Sequence, residues 1–315
     1  MANLITIDKA VKSFKNLIDK SIKSGGNKAK TAMIRSSKPI LNIHEAVKVQ
    51  LLQNGVNKKL IYPPLKSRTP ELKLSGIFKQ KDQDICVIPN DITEKAEVLK
   101  IGLLEGDNDK YGEEYTKKTL TINVRSQISS IQKNFDTLYE RTIFEAYNLH
   151  NRCPEMVLGE VYMIAVPEYD ETEFKNKKSK FNSISPKLVE KYIKSFQSIT
   201  NRIDTTNDLY KYEATCLLIV DFSKKTPKIY NSTSELIKDG LLPTDTKIKF
   251  EGLEWKEFAK KLIKVYETRF GTGILSWYFS IRKSSISFLS LSILSISSSF
   301  AENSGIVNLS IKFFW

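Results

Sequence analysis

Residues 119–166 contain the run that decides the fold: Thr119–Arg125 reads TLTINVR, Phe135–Asn151 reads FDTLYERTIFEAYNLHN, and Met156–Val166 reads MVLGEVYMIAV. The first piece alternates as a strand does, which puts Thr121, Asn123, Arg125 and Gln127 on one face. The second has the length and stripe of a helix, and the third is apolar enough for a buried strand. Upstream, Asp84–Ile88 (DICVI) is a further short strand that opens on an acid. An acid at the head of one strand, beside polar groups aligned on its neighbour, can hold a divalent cation next to a phosphate.

Working outward, Ile5–Ile22 carries Ile7, Val11, Phe14, Leu17, Ile18 and Ile22 at helical spacing. Ser24–Lys30 (SGGNKAK) reads as a flexible basic linker. A second helix is predicted from Pro39 to Gln53, with Ile40, Ile43, Val47 and Leu51 on its stripe and Gly55 as its cap. Tyr62–Pro70 (YPPLKSRTP) is a loop, because its prolines forbid regular structure.

Leu72–Lys79 and Asp84–Ile88 are expected to form a hairpin joined by the polar Gln80–Gln83, and Val98–Leu104 a short strand. After the central unit come a Lys-rich loop over Tyr169–Pro186 and a helix over Lys187–Arg202. Glu213–Phe222 is a strand covered on both faces, Lys228–Tyr230 a short strand, and Trp255–Phe270 a last helix. The order predicts an α/β fold with a mixed central sheet flanked by helices: a helical region over residues 1–65, an α/β core over 66–271 and a tail over 272–315.

The tail differs in composition. Eleven of the 24 residues from Ser276 to Ser299 are serine. It is expected to pack little against the core, as the product of a frameshift or rearrangement or as an aggregation-prone extension. Ser284–Ala301 lacks charge but holds too much serine for a membrane span.

The 315 residues carry a formal net charge of +13 and a pI near 9.4, which suits a polyanionic partner such as nucleic acid. A lysine-rich composition produces the same excess without one. Cys86 and Cys216 fall inside apolar strands and no CxxC pair occurs, so reduced thiols and a cytoplasmic protein are expected. Two histidines, His44 and His150, argue against a His-rich zinc site. The charged, amphipathic N-terminus is unlike a secretory signal. No P-loop, GxGxxG, GxSxG or HExxH string supports an NTPase, dinucleotide, serine-hydrolase or zinc-protease reading.

Three blocks together, Pro70–Pro89, Ile122–His150 and Leu158–Asp170, resemble type II restriction endonucleases of the PD-(D/E)XK class. The likeness spans roughly residues 35–270 and lies in the order of elements. It implies a restriction-endonuclease-like core and Mg²⁺-dependent, sequence-specific cleavage of double-stranded DNA. It also implies a homodimer, and a cognate DNA methyltransferase acting on the same site. The alternative is a DNA- or RNA-binding protein on such a fold that has lost catalysis.

The resemblance makes Asp84, after Gln83, the first metal ligand. The Glu-x-Lys element has no carboxylate here, since the matching strand offers Asn123-x-Arg125 or Arg125-x-Gln127. Some members move that glutamate to the following helix, which makes Glu140 the candidate second ligand and Glu145 its substitute. Arg125 would balance charge on the phosphate. Glu45, on the second helix, is the position from which some such enzymes orient a water, although a solvated helix face explains it too. Glu71-x-Lys73 precedes Asp84 and reads as a strand charge pair. Glu160 lies in an apolar strand and must find either a partner, such as Arg141 or Arg125, or a metal. Lys66, Arg68, Lys79 and Lys81 surround the hairpin, and Lys175, Lys177, Lys178 and Lys180 form a second patch. Both suit phosphate contacts.

Overall fold

A computed structural model describes residues 4–276, and the chain up to Leu275 forms one compact unit. The helices are α1 (Ile7–Arg35), α2 (Lys38–Gln53), α3 (Glu113–Lys118), α4 (Phe135–His150), α5 (Pro186–Ser198), α6 (Thr233–Lys238) and α7 (Trp255–Phe270). The strands are β1 (Ile61–Tyr62), β2 (Leu72–Ser75), β3 (Gln80–Gln83), β4 (Ile85–Val87), β5 (Glu97–Val98), β6 (Asn108–Asp109), β7 (Leu120–Gln127), β8 (Leu158–Ala165), β9 (Glu168–Tyr169), β10 (Phe181–Asn182), β11 (Ala214–Asp221) and β12 (Lys228–Ile229).

Six of these strands form the central mixed sheet, in the order β1-β4-β7-β8-β11-β12. β7, β8 and β11 run parallel and are fed by helical crossovers, while β4 and β12 pair antiparallel at either side. β8 and β11 are buried at every position, as expected for strands covered on both faces. α2 and α7 lie on one face, where a Cβ at Gly159 would meet Phe258 and Leu262 of α7. α4 and α5 lie on the other, where Arg125 meets Thr142 and Gln127 meets Tyr192. α1 packs along α2, so the helical N-terminal region belongs to the same unit as the sheet.

The predicted adjacency holds: Ile85, Cys86 and Val87 pair with Ile122, Thr121 and Leu120. Other sequence expectations need correction. Leu72–Lys79 is outside the central sheet. Leu72–Ser75 pairs with Gln80–Gln83 in a separate hairpin, and the polar Gln80–Gln83 is a strand rather than a connection. The turn can be this tight because Gly76 sits against Asn148 of α4, where a Cβ would strike the asparagine. Asn148 then takes the N–H groups of Phe78 and Lys79 and donates to Lys79 O.

The expected linker Ser24–Lys30 is helical except at Gly25 and Gly26, whose backbone angles separate two helical segments. α1 runs through it with a kink at Gly25 and Gly26. Gly26 has φ +58°, and a Cβ there would collide with the carbonyl of Phe174, so the break exists to let that backbone close in. The Lys-rich stretch after Tyr169 is likewise ordered into a 3₁₀ turn over Glu171–Asn176 and the β9–β10 pair. Val98 belongs to the short β5, which pairs with β6. The start of the tail does pack on the core, with Ile274 and Leu275 buried and Asn57 N bonded to Leu275 O, and the serine-rich remainder from residue 277 lies outside the described residues.

Candidate metal and phosphate site

Asp84 occupies the join between β3 and β4, one residue before β4 begins. Its Oδ2 accepts a hydrogen bond from Val124 N at 2.8 Å, so the side chain extends the β4–β7 ladder by one rung. Its other oxygen has no hydrogen-bond partner among the described residues. From α2, His44 comes within its field. Burial lowers the His44 pKa, and the negative charge of Asp84 opposes that. The His44 Nε2 is buried without a hydrogen-bond partner.

Across β7 and β8 a buried charge cluster forms around Arg125. Its Nη2 lies 2.7 Å from Glu145 Oε2 on α4, and its Nη1 lies 2.7 Å from Glu160 Oε1 on β8. Nη1 also donates to Thr142 Oγ1 at 3.2 Å. Lys79 reaches Glu145 Oε1 at 3.3 Å, and Lys81 bonds its Oε2. Three cations therefore face two carboxylates. Burial pushes the Glu145 carboxyl up, but Arg125, Lys81 and Lys79 outweigh it and hold the pKa below the usual range. Glu160 goes the other way. Complete burial raises its pKa to about 8 against the pull of Arg125, and the negative charges of Glu145 and Asp84 add to the rise.

Glu160 Oε2 is thus a buried oxygen without a partner, and so is Asn123 Oδ1. The two residues are direct neighbours in the parallel β7–β8 ladder. Asn123 is also the residue next to Val124, to which Asp84 is bonded. Buried oxygens left unmatched are costly and call for water, a proton or a cation. Asp84, Asn123 and Glu160 carry hard-oxygen donors, two of them carboxyl groups, of the kind Mg²⁺ takes while keeping several waters. On donor chemistry the residues fit that ion. Among the described residues no group of three or more His, Cys, Asp or Glu side chains gathers as a metal cage.

The structure thus gathers Asp84, Asn123, Arg125 and Glu145 from the predicted set, and adds Glu160, which takes Arg125 as its partner. Glu140 is exposed and has no part in these bonds, so the helix glutamate in the cluster is Glu145. Gln127 is fully engaged. Its oxygen accepts from Tyr162 and Tyr192, and its amide donates to Ser130 O and Ile131 O. Glu45 binds Lys48 Nζ at 2.6 Å and Lys66 N at 2.8 Å, while Lys48 also donates to Pro64 O and Ser67 O. Glu45 thereby fastens the Tyr62–Pro70 loop to α2. Lys73 stands opposite Asp82 in the hairpin. His44 was absent from the sequence-level candidates. Its position beside Ile43 and Val47 on the stripe of α2 was the available signal.

Arg125 also lines a cleft of about 450 Å³ with Ser37, Pro39, Ser126, Arg141 and Tyr162. Comparison with protein-family models, with curated proteins and with solved structures finds no match. No helix among the described residues is long and apolar enough to cross a membrane, and all three cysteines are buried and unpaired.

Proposed function

We propose that the chain is a Mg²⁺-dependent endonuclease that cuts double-stranded DNA at a specific sequence, as type II restriction enzymes do. One observation carries the reading: Asp84 is bonded to β7 at Val124, and the neighbouring Asn123 and its ladder partner Glu160 each carry a buried oxygen without a partner, with Arg125 bonded to Glu160 and Lys81 to Glu145. Asp84, Asn123 and Glu160 would hold the ion, with Glu145 next to them. Mg²⁺ supplies Lewis acidity toward a phosphoryl oxygen and charge for the transition state. Lys79 and Lys81, both partly exposed, hold a strand's phosphates at the hairpin. Arg125 fixes both glutamates and faces the cleft. The net charge of +13 favours a polyanionic substrate. The same reading brings a homodimer, a DNA methyltransferase acting on the same site and a cytoplasmic setting.

A second reading has a specific observation behind it. Arg125 is already committed to two carboxylates, and no metal cage of three acidic side chains is present among the described residues. That arrangement suits a nucleic-acid-binding protein without catalysis.

Incubation of intact phage or plasmid DNA with Mg²⁺ separates the two. The proposal expects discrete fragments from the wild type and none from Asp84→Asn, with metal-free DNA binding by Asp84→Asn equal or tighter because a charge near phosphate is gone. Cutting by Asp84→Asn at the wild-type rate would place the chemistry elsewhere. Binding without cutting by the wild type would favour the second reading.

A further inference from the structure

Phe78, at the tip of the β2–β3 hairpin, stands against two rings on the outer side of α4. The Phe78 and Phe144 centroids are 5.4 Å apart with planes at 36°, and those of Phe78 and Tyr147 are 6.2 Å apart with planes at 23°. Phe144 keeps 40% and Tyr147 38% of its surface in solvent. A cluster of three rings with so much surface open marks a contact site more often than a solvated face. Lys79 Nζ lies 5.2 Å from the Phe144 centroid and 3.3 Å from Glu145 Oε1. Lys81 binds the same glutamate. The rings and two half-exposed ammonium groups therefore form one surface that adjoins the Arg125 cluster.

We propose that this surface is a stacking platform for an unpaired nucleobase, with Lys79 and Lys81 taking the phosphates next to it. An unstacked base offers a flat π-face to the rings, and its own backbone brings the negative charge that the lysines match. An apolar protein segment would cover the rings but bring no anion to the solvent-facing sides of the two ammonium groups, which Glu145 alone pairs in the free protein. A regular duplex would match the lysines but keep its base faces stacked inside. The inference rests on the nuclease reading for placing a DNA strand beside the cluster, and it adds that the strand is locally unstacked there. Leu103, 78% exposed and bonded through its N–H to Ile77 O, borders the same hairpin tip and is the feature a second copy of the chain would use instead.

The test uses the full chain in metal-free buffer, with fluorescence anisotropy on a labelled single-stranded oligonucleotide and on the matching blunt duplex. The variant is Phe144→Leu combined with Tyr147→Leu, which keeps apolar bulk and helix propensity while removing the rings. Single-strand affinity should fall by about tenfold or more, as expected for loss of base stacking, with duplex affinity within about twofold. A 2-aminopurine in the strand should be quenched by the wild type and not by the variant. Equal losses on both DNAs, no loss on either, or no binding of single strands by the wild type would overturn the platform. So would a sedimentation shift from dimer to monomer in the variant with single-strand affinity intact. A wild type that shows the ring-dependent binding but never cuts DNA with Mg²⁺ keeps the platform and loses the nuclease reading. Cutting that is indifferent to the rings, with unchanged strand affinity, does the reverse.

Discussion

Glu213→Gln probes the most heavily invested ionic contact in the fold. Glu213 is fully buried at the start of β11, where its carboxylate lies 3.0 Å from Arg202 Nη1, 2.8 Å from Arg269 Nη1 and 3.5 Å from His150 Nε2. It also accepts from Leu158 N at 2.7 Å, which locks the start of β11 to β8. Burial by itself would raise the pKa, but His150, Arg269 and the Leu158 N–H outweigh it and hold the carboxyl at about 2. Measured against an unfolded value near 4.5, that depression corresponds to roughly 3 kcal/mol. An independent route agrees, since removing one partner of a buried ion pair costs about 3–5 kcal/mol, and Arg202 is wholly inaccessible.

The unfolded chain takes up the proton first as pH falls. The stabilisation is therefore fully present above about pH 4.5 and is lost as pH drops toward 2. Urea denaturation followed by circular dichroism should show Glu213→Gln about 3 kcal/mol less stable at neutral pH, equivalent to roughly 5 °C in melting temperature. The gap should narrow as the pH is lowered through about 4. A loss below about 1 kcal/mol at neutral pH, or a gap that stays constant in acid, would refute the assignment of Glu213 as the ionised centre of this cluster.

Gly76→Ala should cost about 1–3 kcal/mol by overpacking against Asn148, with faster amide exchange at Phe78 and Lys79 as the local readout. Unchanged exchange there would mean that the hairpin does not depend on that contact. Glu45→Gln should leave the proposed Mg²⁺-dependent DNA cleavage within about twofold while making the Tyr62–Pro70 loop easier to cleave by a protease, since Glu45 holds Lys66 N and Lys48. A loss of cleavage with no change in loop protection would return Glu45 to the chemistry.

The elements that carry the sheet were readable because their patterns are local. Alternation in Leu120–Gln127, the apolar run of Leu158–Ala165 interrupted only by Gly159 and Glu160, and the apolar stripe of Trp255–Phe270 follow from strand and helix periodicity alone. The pairing of the Asp84 strand with β7 followed from the α/β order. The composition also established the basic excess and the scarcity of histidine.

Tertiary structure decided the rest. Gly25 and Gly26 look like a flexible linker in sequence, and only the close approach of the Phe174 carbonyl to Gly26 makes them a sharp break between two ordered helical segments. The polar Gln80–Gln83 looks like a turn, and only Asn148, far along the chain, moves the turn to Gly76–Lys79 and makes those residues a strand. The choice between Glu140 and Glu145 could not be made on helical angle, because both flank the apolar stripe. The position of Arg125, Lys79 and Lys81 puts Glu145, and not the exposed Glu140, in the buried charge cluster. Glu160 shows the same limit: sequence required a partner for it, and the β7–β8 register supplied Arg125 while leaving one oxygen unmatched beside Asn123. Periodicity fixes what a residue's own neighbours in the chain will do, whereas a site is a meeting of residues whose separation in sequence carries no record of their distance in space.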